Sequence, residues 1–327
     1  MRVLLLGASG TIGLATARAL VHQGHEVVCF LRKPSASKIN HKHTSVVAAL
    51  QNTEIRYGDP CRSESLRRDA FCQQPFDAVV SCLASRTGTP QDAWAVDYQA
   101  HLHILEAAQE VGVRHFVLLS AICVQKPLLA FQKAKLAFEA ALIASGLTYV
   151  IVRPTAFFKS LSGQLARVKQ GKPFLIFGNG RLTACKPISD DDLADFMAGC
   201  LTDPSRHNQI LPIGGPGPAI TPREQGEFLF QQLHKAPRFQ SVPVALLDFI
   251  IGTLDVLGKL SSKAAEKAEL VRIGRYYATE SMLVWNSSLN QYDPDATPSH
   301  GQQTRFDAYS AWLKGEAAPD RGDHAVF

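Results

Sequence analysis

The run Gly7-Ala8-Ser9-Gly10-Thr11-Ile12-Gly13 constrains this chain more than any other stretch. Its three glycines follow an apolar, β-prone segment, residues 2–6, and precede residues 14–22, where Leu14, Ala17 and Val21 fall on one helical face. A glycine turn between a strand and a helix lets the backbone approach a pyrophosphate closely. The first N–H groups of the helix and its positive dipole end then favour the phosphate charge. Gly7, Ser9, Gly10, Thr11, Ile12 and Gly13 are therefore the expected phosphate site of a dinucleotide, the plainer alternative being a glycine turn that binds nothing.

The rest of the first half repeats this rhythm. Strands are expected over residues 26–31, 54–57, 78–83, 115–120 and 147–152, the last ending at Arg153-Pro154, with helices over 94–111 and 131–145. This predicts an α/β protein with a Rossmann-type doubly wound parallel sheet and a smaller interleaved substrate-binding region. Residues 1–155 form the expected NADP-binding core and 156–327 the substrate region, with a strand at about 209–213 returning to the core sheet. Residues 163–187 are punctuated by Gly and Pro, and Ser189-Asp190-Asp191-Asp192 reads as a helix start. The polar tail, residues 286–327, is expected to be loosely ordered. Residues 244–260 are strongly apolar, broken only by Asp248 and Asp255, and read as a helix packed in the core. Its polar face lacks clustered lysines, which leaves contact with a membrane surface or a partner as the second reading.

Composition excludes several classes. No apolar run reaches the eighteen or so residues a membrane span needs. The net charge of +5 is modest and the basic residues form no tract, so nucleic acid is not an expected partner. Seven cysteines without a Cys-x-x-Cys pair suit a reducing cytoplasm and argue against an iron–sulfur centre. The first apolar run is too short for a signal-peptide core, and nothing directs secretion. No metal is expected either: in the second of the pairs His41-x-His43 and His101-x-His103, helical positions two apart point to different faces.

NAD-binding proteins usually place an acid at the end of the second strand to accept from the ribose 2′-OH. Here Arg32 and Lys33 stand at that place, and Arg32 can pair with a 2′-phosphate, which favours NADP(H) unless the two are merely solvated surface residues. Asp59, ending the third strand, suits either the adenine amino group or an ordinary turn.

The glycine spacing resembles the extended and atypical short-chain dehydrogenase/reductase superfamily, which normally carries a serine and a Tyr-x-x-x-Lys pair; its NmrA and isoflavone-reductase-like branch includes enzymes that share the lysine without the tyrosine. Ser120 matches the serine and Lys135 the lysine, but Phe131 stands where the tyrosine would be. A phenylalanine cannot protonate the alkoxide formed by carbonyl reduction. Hydride delivery to a carbon–carbon double bond conjugated to a large π-system escapes that need. The resemblance implies that Lys135 holds the nicotinamide ribose and that Pro154 lies beside the nicotinamide, with Lys135, Ser120 and Phe131 as the catalytic positions.

Later strings are more specific: Arg153-Pro-Thr-Ala-Phe-Phe-Lys-Ser160, Gly178-Asn-Gly-Arg-Leu-Thr-Ala-Cys-Lys-Pro-Ile-Ser189, Thr279-Glu-Ser-Met-Leu-Val284 and Asp293-Pro-Asp-Ala-Thr-Pro-Ser299. These resemble the divinyl (proto)chlorophyllide 8-vinyl reductases, and the resemblance implies that the Phe-x-x-x-Lys departure is shared. The resemblance implies NADPH-dependent reduction of an 8-vinyl to an 8-ethyl group in chlorophyll synthesis. The setting it implies is a phototroph's cytoplasm, peripheral to photosynthetic membranes. A tetrapyrrole could then rest on Phe157 and Phe158, with its propionate on Lys159 or Lys186, although core packing and surface lysines explain the same residues. Two alternatives stay open. One is a non-catalytic NADP-binding sensor or an assembly factor for photosynthetic or respiratory complexes; the other is an isoflavone-reductase-like enzyme, which lacks the later strings.

Overall fold

In the computed structural model, which describes residues 1–33 and 41–316, six strands wind through the first half of the chain. They are β1 (Arg2–Leu6), β2 (Glu26–Arg32), β3 (Glu54–Gly58), β4 (Ala78–Ser81), β5 (His115–Leu119) and β6 (Thr148–Pro154). β7 (Phe174–Phe177) lies outside this sheet, paired in parallel with β9 (Phe239–Val242), and β8 (Gln209–Ile213) returns to the sheet's edge. The order is β3-β2-β1-β4-β5-β6-β8, parallel throughout. The strand order reverses between β1 and β4, which opens a ligand crevice at the C-terminal ends of the strands.

Alternate side chains explain the two layers. Val3 and Leu5 with Val27, Cys29, Val80, Val117 and Val152 face one core, shared with Ala15, Leu20, Leu193 and Met197 of the helices Thr11–His22 and Asp190–Gly199. Leu4 and Leu6 with Val28, Phe30, Val79, Phe116 and Ile151 face the other, closed by Phe71, Ile104, Leu105 and Phe138. Strands apolar on both faces are what a parallel sheet covered on both sides requires. The helix expected over 94–111 starts earlier, with Pro90 in its first turn, and runs as Pro90–Ala93, a wider-wound Trp94–Ala100 and His101–Glu110.

The second region departs from expectation in two places. Residues 286–316 are built structure, not a loose tail. β10 (Val284–Asn286) and β11 (Gln291–Asp293) form a hairpin, and the helix Arg305–Lys314 follows, started by reciprocal bonds between Thr304 and Asp307. Tyr309 and Trp312 of that helix join Phe158, Leu165, Phe174, Leu229 and Phe230 in a separate core. Arg305 is buried there with its guanidinium 4.1 Å from the Tyr309 ring centroid, 4.8 Å from Trp312 and 5.4 Å from Phe158, and Nη1 donates to the Phe158 carbonyl at 2.7 Å. Ring faces and a carbonyl thus replace part of the hydration of a charge that the sequence suggests is solvated. Residues 317–327 lie outside the described residues.

The second departure is the apolar helix Val244–Gly258, which buries none of its residues and leans chiefly on the helix Ser262–Thr279. The expected core position fails because apolarity tells what a helix could bury, not whether a neighbour is there to cover it. No described helix is long and apolar enough to cross a membrane.

Candidate functional site

The glycine loop is held by backbone on all sides but one. Gly7 has φ +77°, and a Cβ there would sit 2.5 Å from the Cys82 carbonyl. A Cβ on Gly13 would meet the Gly7 carbonyl oxygen at 2.1 Å, so the loop and the helix Thr11–His22 can only close on each other without side chains. Gly10 N–H donates to that same oxygen at 3.0 Å, while a Cβ on Gly10 would find it at a tolerable 3.4 Å. Gly10 caps the helix with no side-chain bond, and Ser9 and Gly10 are exposed. The helix N-terminus therefore keeps an anion site open at the end of β1.

Beside it stands an acid that the sequence reading did not single out. Burial holds the Asp190 carboxyl above the usual carboxylate range, and Asp191 adds to this. Lys159, a hydrogen bond with Thr11, and Arg18 oppose the rise. At the end of β2, Arg32 and Lys33 are exposed, and Arg32 Nη2 reaches Cys61 Sγ at 3.9 Å. Asp59, after β3, accepts from Cys61 N–H at 3.0 Å, and its own N–H donates to Ser65 Oγ at 2.9 Å. That carboxylate oxygen closes a turn, which favours the turn role over contact with adenine.

On the other side of the crevice, Lys135 Nζ donates to Asp97 Oδ1 at 3.0 Å, and the two side chains are 12% and 0% exposed. Ser85 N–H donates to the same oxygen at 3.2 Å, whereas Asp97 Oδ2 is buried with no hydrogen-bond partner among the described residues. Phe131, one turn before Lys135 on the helix Ala130–Ala144, packs in an apolar cluster with Ile273, Tyr276 and Met282. Gly88, at φ +68°, leaves room for both Phe131 and Ile273. Below the pair, His101 Nδ1 meets the Val96 carbonyl and Nε2 the Ser81 hydroxyl, each at 2.9 Å. Burial and then the Lys135 charge push its pKa down to about 4, so the ring is neutral at physiological pH.

This is a nucleotide crevice with a basic end at one side and a lysine without its tyrosine at the other, and the comparisons with known proteins agree. A family model described as NAD(P)H-binding matches residues 7–204. The chloroplastic divinyl chlorophyllide a 8-vinyl-reductase of Oryza sativa subsp. indica is 47% identical over 99% of this chain and 82% of its own length. That of Cucumis sativus is 47% identical over 99% and 79%. The chain belongs to the divinyl chlorophyllide a 8-vinyl-reductase family. The photosystem II assembly factor Ycf39 of Synechocystis is more distant, at 25% identity over 76% of this chain and 73% of its own. A solved isoflavone reductase shares the fold, with TM-score 0.67 at 17% identity over 95% of this chain and 99% of that one.

Within this vinyl-reductase family member, the structure scatters some residues that the sequence groups together. Ser120 Oγ donates to Glu139, whose carboxylate also takes both Arg153 Nη2 and, at 3.2 Å, Arg153 Nε. Its proton is engaged in a buried cluster joining the ends of β5 and β6 to the Lys135 helix. Pro154 is buried and paired in register with Ile213 of β8. Phe157 packs against the sheet core while Phe158 turns into the Tyr309 and Trp312 core, so the pair forms no shared flat wall. Adjacent residues at a bend diverge, and core packing accounts for both. Lys186 Nζ donates to the Thr297 carbonyl at 2.9 Å and lies 3.4 Å from Ser299 Oγ, tying the loop after β11 in place, not standing ready for a propionate. Lys159 instead lies close enough to Asp190 for their charges to interact, on the phosphate-loop side.

Asp97, Glu139 and Asp190 are the site residues that sequence reasoning missed. Glu139 alone carried a local signal, one helical turn beyond Lys135; Asp97 is 38 residues from its lysine. His101 and His103 separate as helix geometry requires, His103 meeting Gln99, and no group of three metal-ligating side chains occurs among the described residues. The side chains of His41 and His43 lie outside the described residues. A surface cleft lined by Arg67, Cys72, Gln74 and Glu110 opens at the N-terminal ends of β4 and β5, opposite the crevice.

Proposed function

We propose that this chain reduces the 8-vinyl group of divinyl chlorophyllide or protochlorophyllide to 8-ethyl with NADPH, as a step in chlorophyll synthesis. The observation that carries the reading is the 47% identity to vinyl reductases over 99% of the chain, including the whole second region. The crevice fits the cofactor: Gly7 and Gly13 leave no room for side chains, Gly10 is exposed at the helix N-terminus, and Arg32 and Lys33 end β2 where a 2′-phosphate needs a cation. Bound there, NADPH supplies a hydride. Lys135, fixed by Asp97, holds the nicotinamide ribose hydroxyls, and Phe131 presents an apolar face in place of an acid. A hydride and a solvent-exchangeable proton would add across the vinyl double bond to give the ethyl group. The conjugated macrocycle spreads the charge between the two additions, so no phenol is required.

We further place the protein at the surface of pigment-bearing membranes, where so apolar a substrate resides. The test is an anaerobic assay of purified protein with divinyl chlorophyllide and either NADPH or NADH, read by chromatography. Monovinyl product with NADPH and little with NADH supports the reading. NADPH binding without turnover of any divinyl pigment selects the assembly-factor reading instead.

A further inference from the structure

The helix Val244–Gly258 shows one continuous apolar stripe to solvent. Phe249 is 73% exposed, Val256 66% and, just past the helix, Leu260 91%. Thr253 and Leu257 complete the stripe at the three- and four-residue spacing of one helical face. Both acids of the helix are spent on its neighbour, Asp248 with Arg275 and Asp255 with Arg272. The helix Ser262–Thr279 crosses so closely that a Cβ on Gly258 would touch Ala265 at 3.2 Å. At the tip of this hairpin Lys259 and Lys263 flank Leu260 in the sequence and Lys267 follows one helical turn on, beside Glu266; all are exposed, and none of the three lysines is ion-paired among the described residues.

We infer that the tip and outer face of this hairpin insert into the headgroup region of an anionic lipid bilayer. The proposal rests on the membrane-surface reading above and names the surface responsible. Apolar side chains flanked by lysines supply the two signals that interfacial binding needs, acyl-chain burial and attraction to negative headgroups. The charge pattern decides between occupants. A second copy brings three more lysines to the same place, whereas anionic headgroups neutralise them.

The opposite side of the hairpin gives the contact a consequence for the site. Ile273 and Tyr276 of its second helix share the apolar cluster of Phe131, and the Tyr276 hydroxyl donates to the Cys123 carbonyl at 2.9 Å. The second helix therefore joins the exposed apolar helix on one side to the wall of the crevice on the other.

The full chain is floated with vesicles of phosphatidylcholine alone or mixed with anionic phosphatidylglycerol. Flotation with the mixed vesicles, weakened by salt, is expected. The double substitution Phe249→Ser with Leu260→Ser should reduce it about tenfold or more, and Lys259→Glu with Lys263→Glu should remove its dependence on phosphatidylglycerol. Both variants should reduce detergent-dispersed pigment as the unaltered chain does, which separates failure of docking from failure of the catalytic reading. The inference is overturned if the unaltered chain floats with neither vesicle, or if the Phe249/Leu260 variant floats equally well. It is also overturned if the chain sediments as a dimer that Phe249→Ser dissociates while vesicles are ignored.

Discussion

Two helical glycines show how differently the nucleotide loop and the C-terminal hairpin are built. Gly13 is locked, since a single added carbon would lie 2.1 Å from the Gly7 carbonyl oxygen, while Gly252 has nothing within 4 Å of the same carbon. In the first region Gly7 and Gly13 are fixed by close packing against backbone, and function comes from what the packing leaves open. In the second an apolar surface is left uncovered, and function comes from what arrives to cover it.

Substitutions in the two regions should behave differently. Gly13→Ala has the largest expected effect, loss of NADPH binding in titration calorimetry, because the loop cannot move away from its own helix; unchanged affinity would show the loop to be pliable. Lys135→Met should lower kcat/KM by about a hundredfold with the chain still folded. It leaves Asp97 unpaired, and breaking a buried pair is costly, so thermal unfolding should be measured alongside.

The same packing predicts a pH dependence. The folded pKa of His101 is pushed down to about 4 from the usual 6.5. Stability is therefore complete above pH 6.5 and is lost as pH falls from there towards 4, because the unfolded chain takes up the proton first. The loss from this group is at most roughly 3 kcal/mol, read by urea denaturation, and His101→Gln should flatten it. Arg32→Ser should raise KM for NADPH about tenfold, the worth of one charge-assisted contact at about 1.4 kcal/mol, and leave KM for NADH unchanged. The smallest effect belongs to the open region: Gly252→Ala should stabilise the protein by about 0.5–1 kcal/mol, since a helical alanine there meets nothing.

The contrast also explains what could be read from the sequence. The loop, the sheet and the basic end of β2 were legible because their signals are local: glycine spacing, alternation, a charge directly after a strand. Lys135 was legible by spacing from Phe131, but Asp97, which fixes it, reaches it only through the packing of two helices. Phe157 and Phe158 are adjacent in sequence and diverge in space, which no pattern of residue types reveals. The C-terminal helix was hidden in a polar segment because its few large residues, Tyr309 and Trp312, matter through the core they enter. For the hairpin, the apolar stripe was visible; its missing cover, and the lysines contributed by the next helix, were not.

The proposed reaction delivers a hydride from this crevice to a pigment double bond, while the second hydrogen is a solvent-exchangeable proton. Divinyl chlorophyllide should be turned over with NADPH deuterated at the transferred position of C4, and the product examined by mass spectrometry and NMR. The account predicts one deuterium in the 8-ethyl group from the labelled cofactor, and a different one when unlabelled NADPH is used in heavy water. Monovinyl product without cofactor-derived deuterium would contradict it.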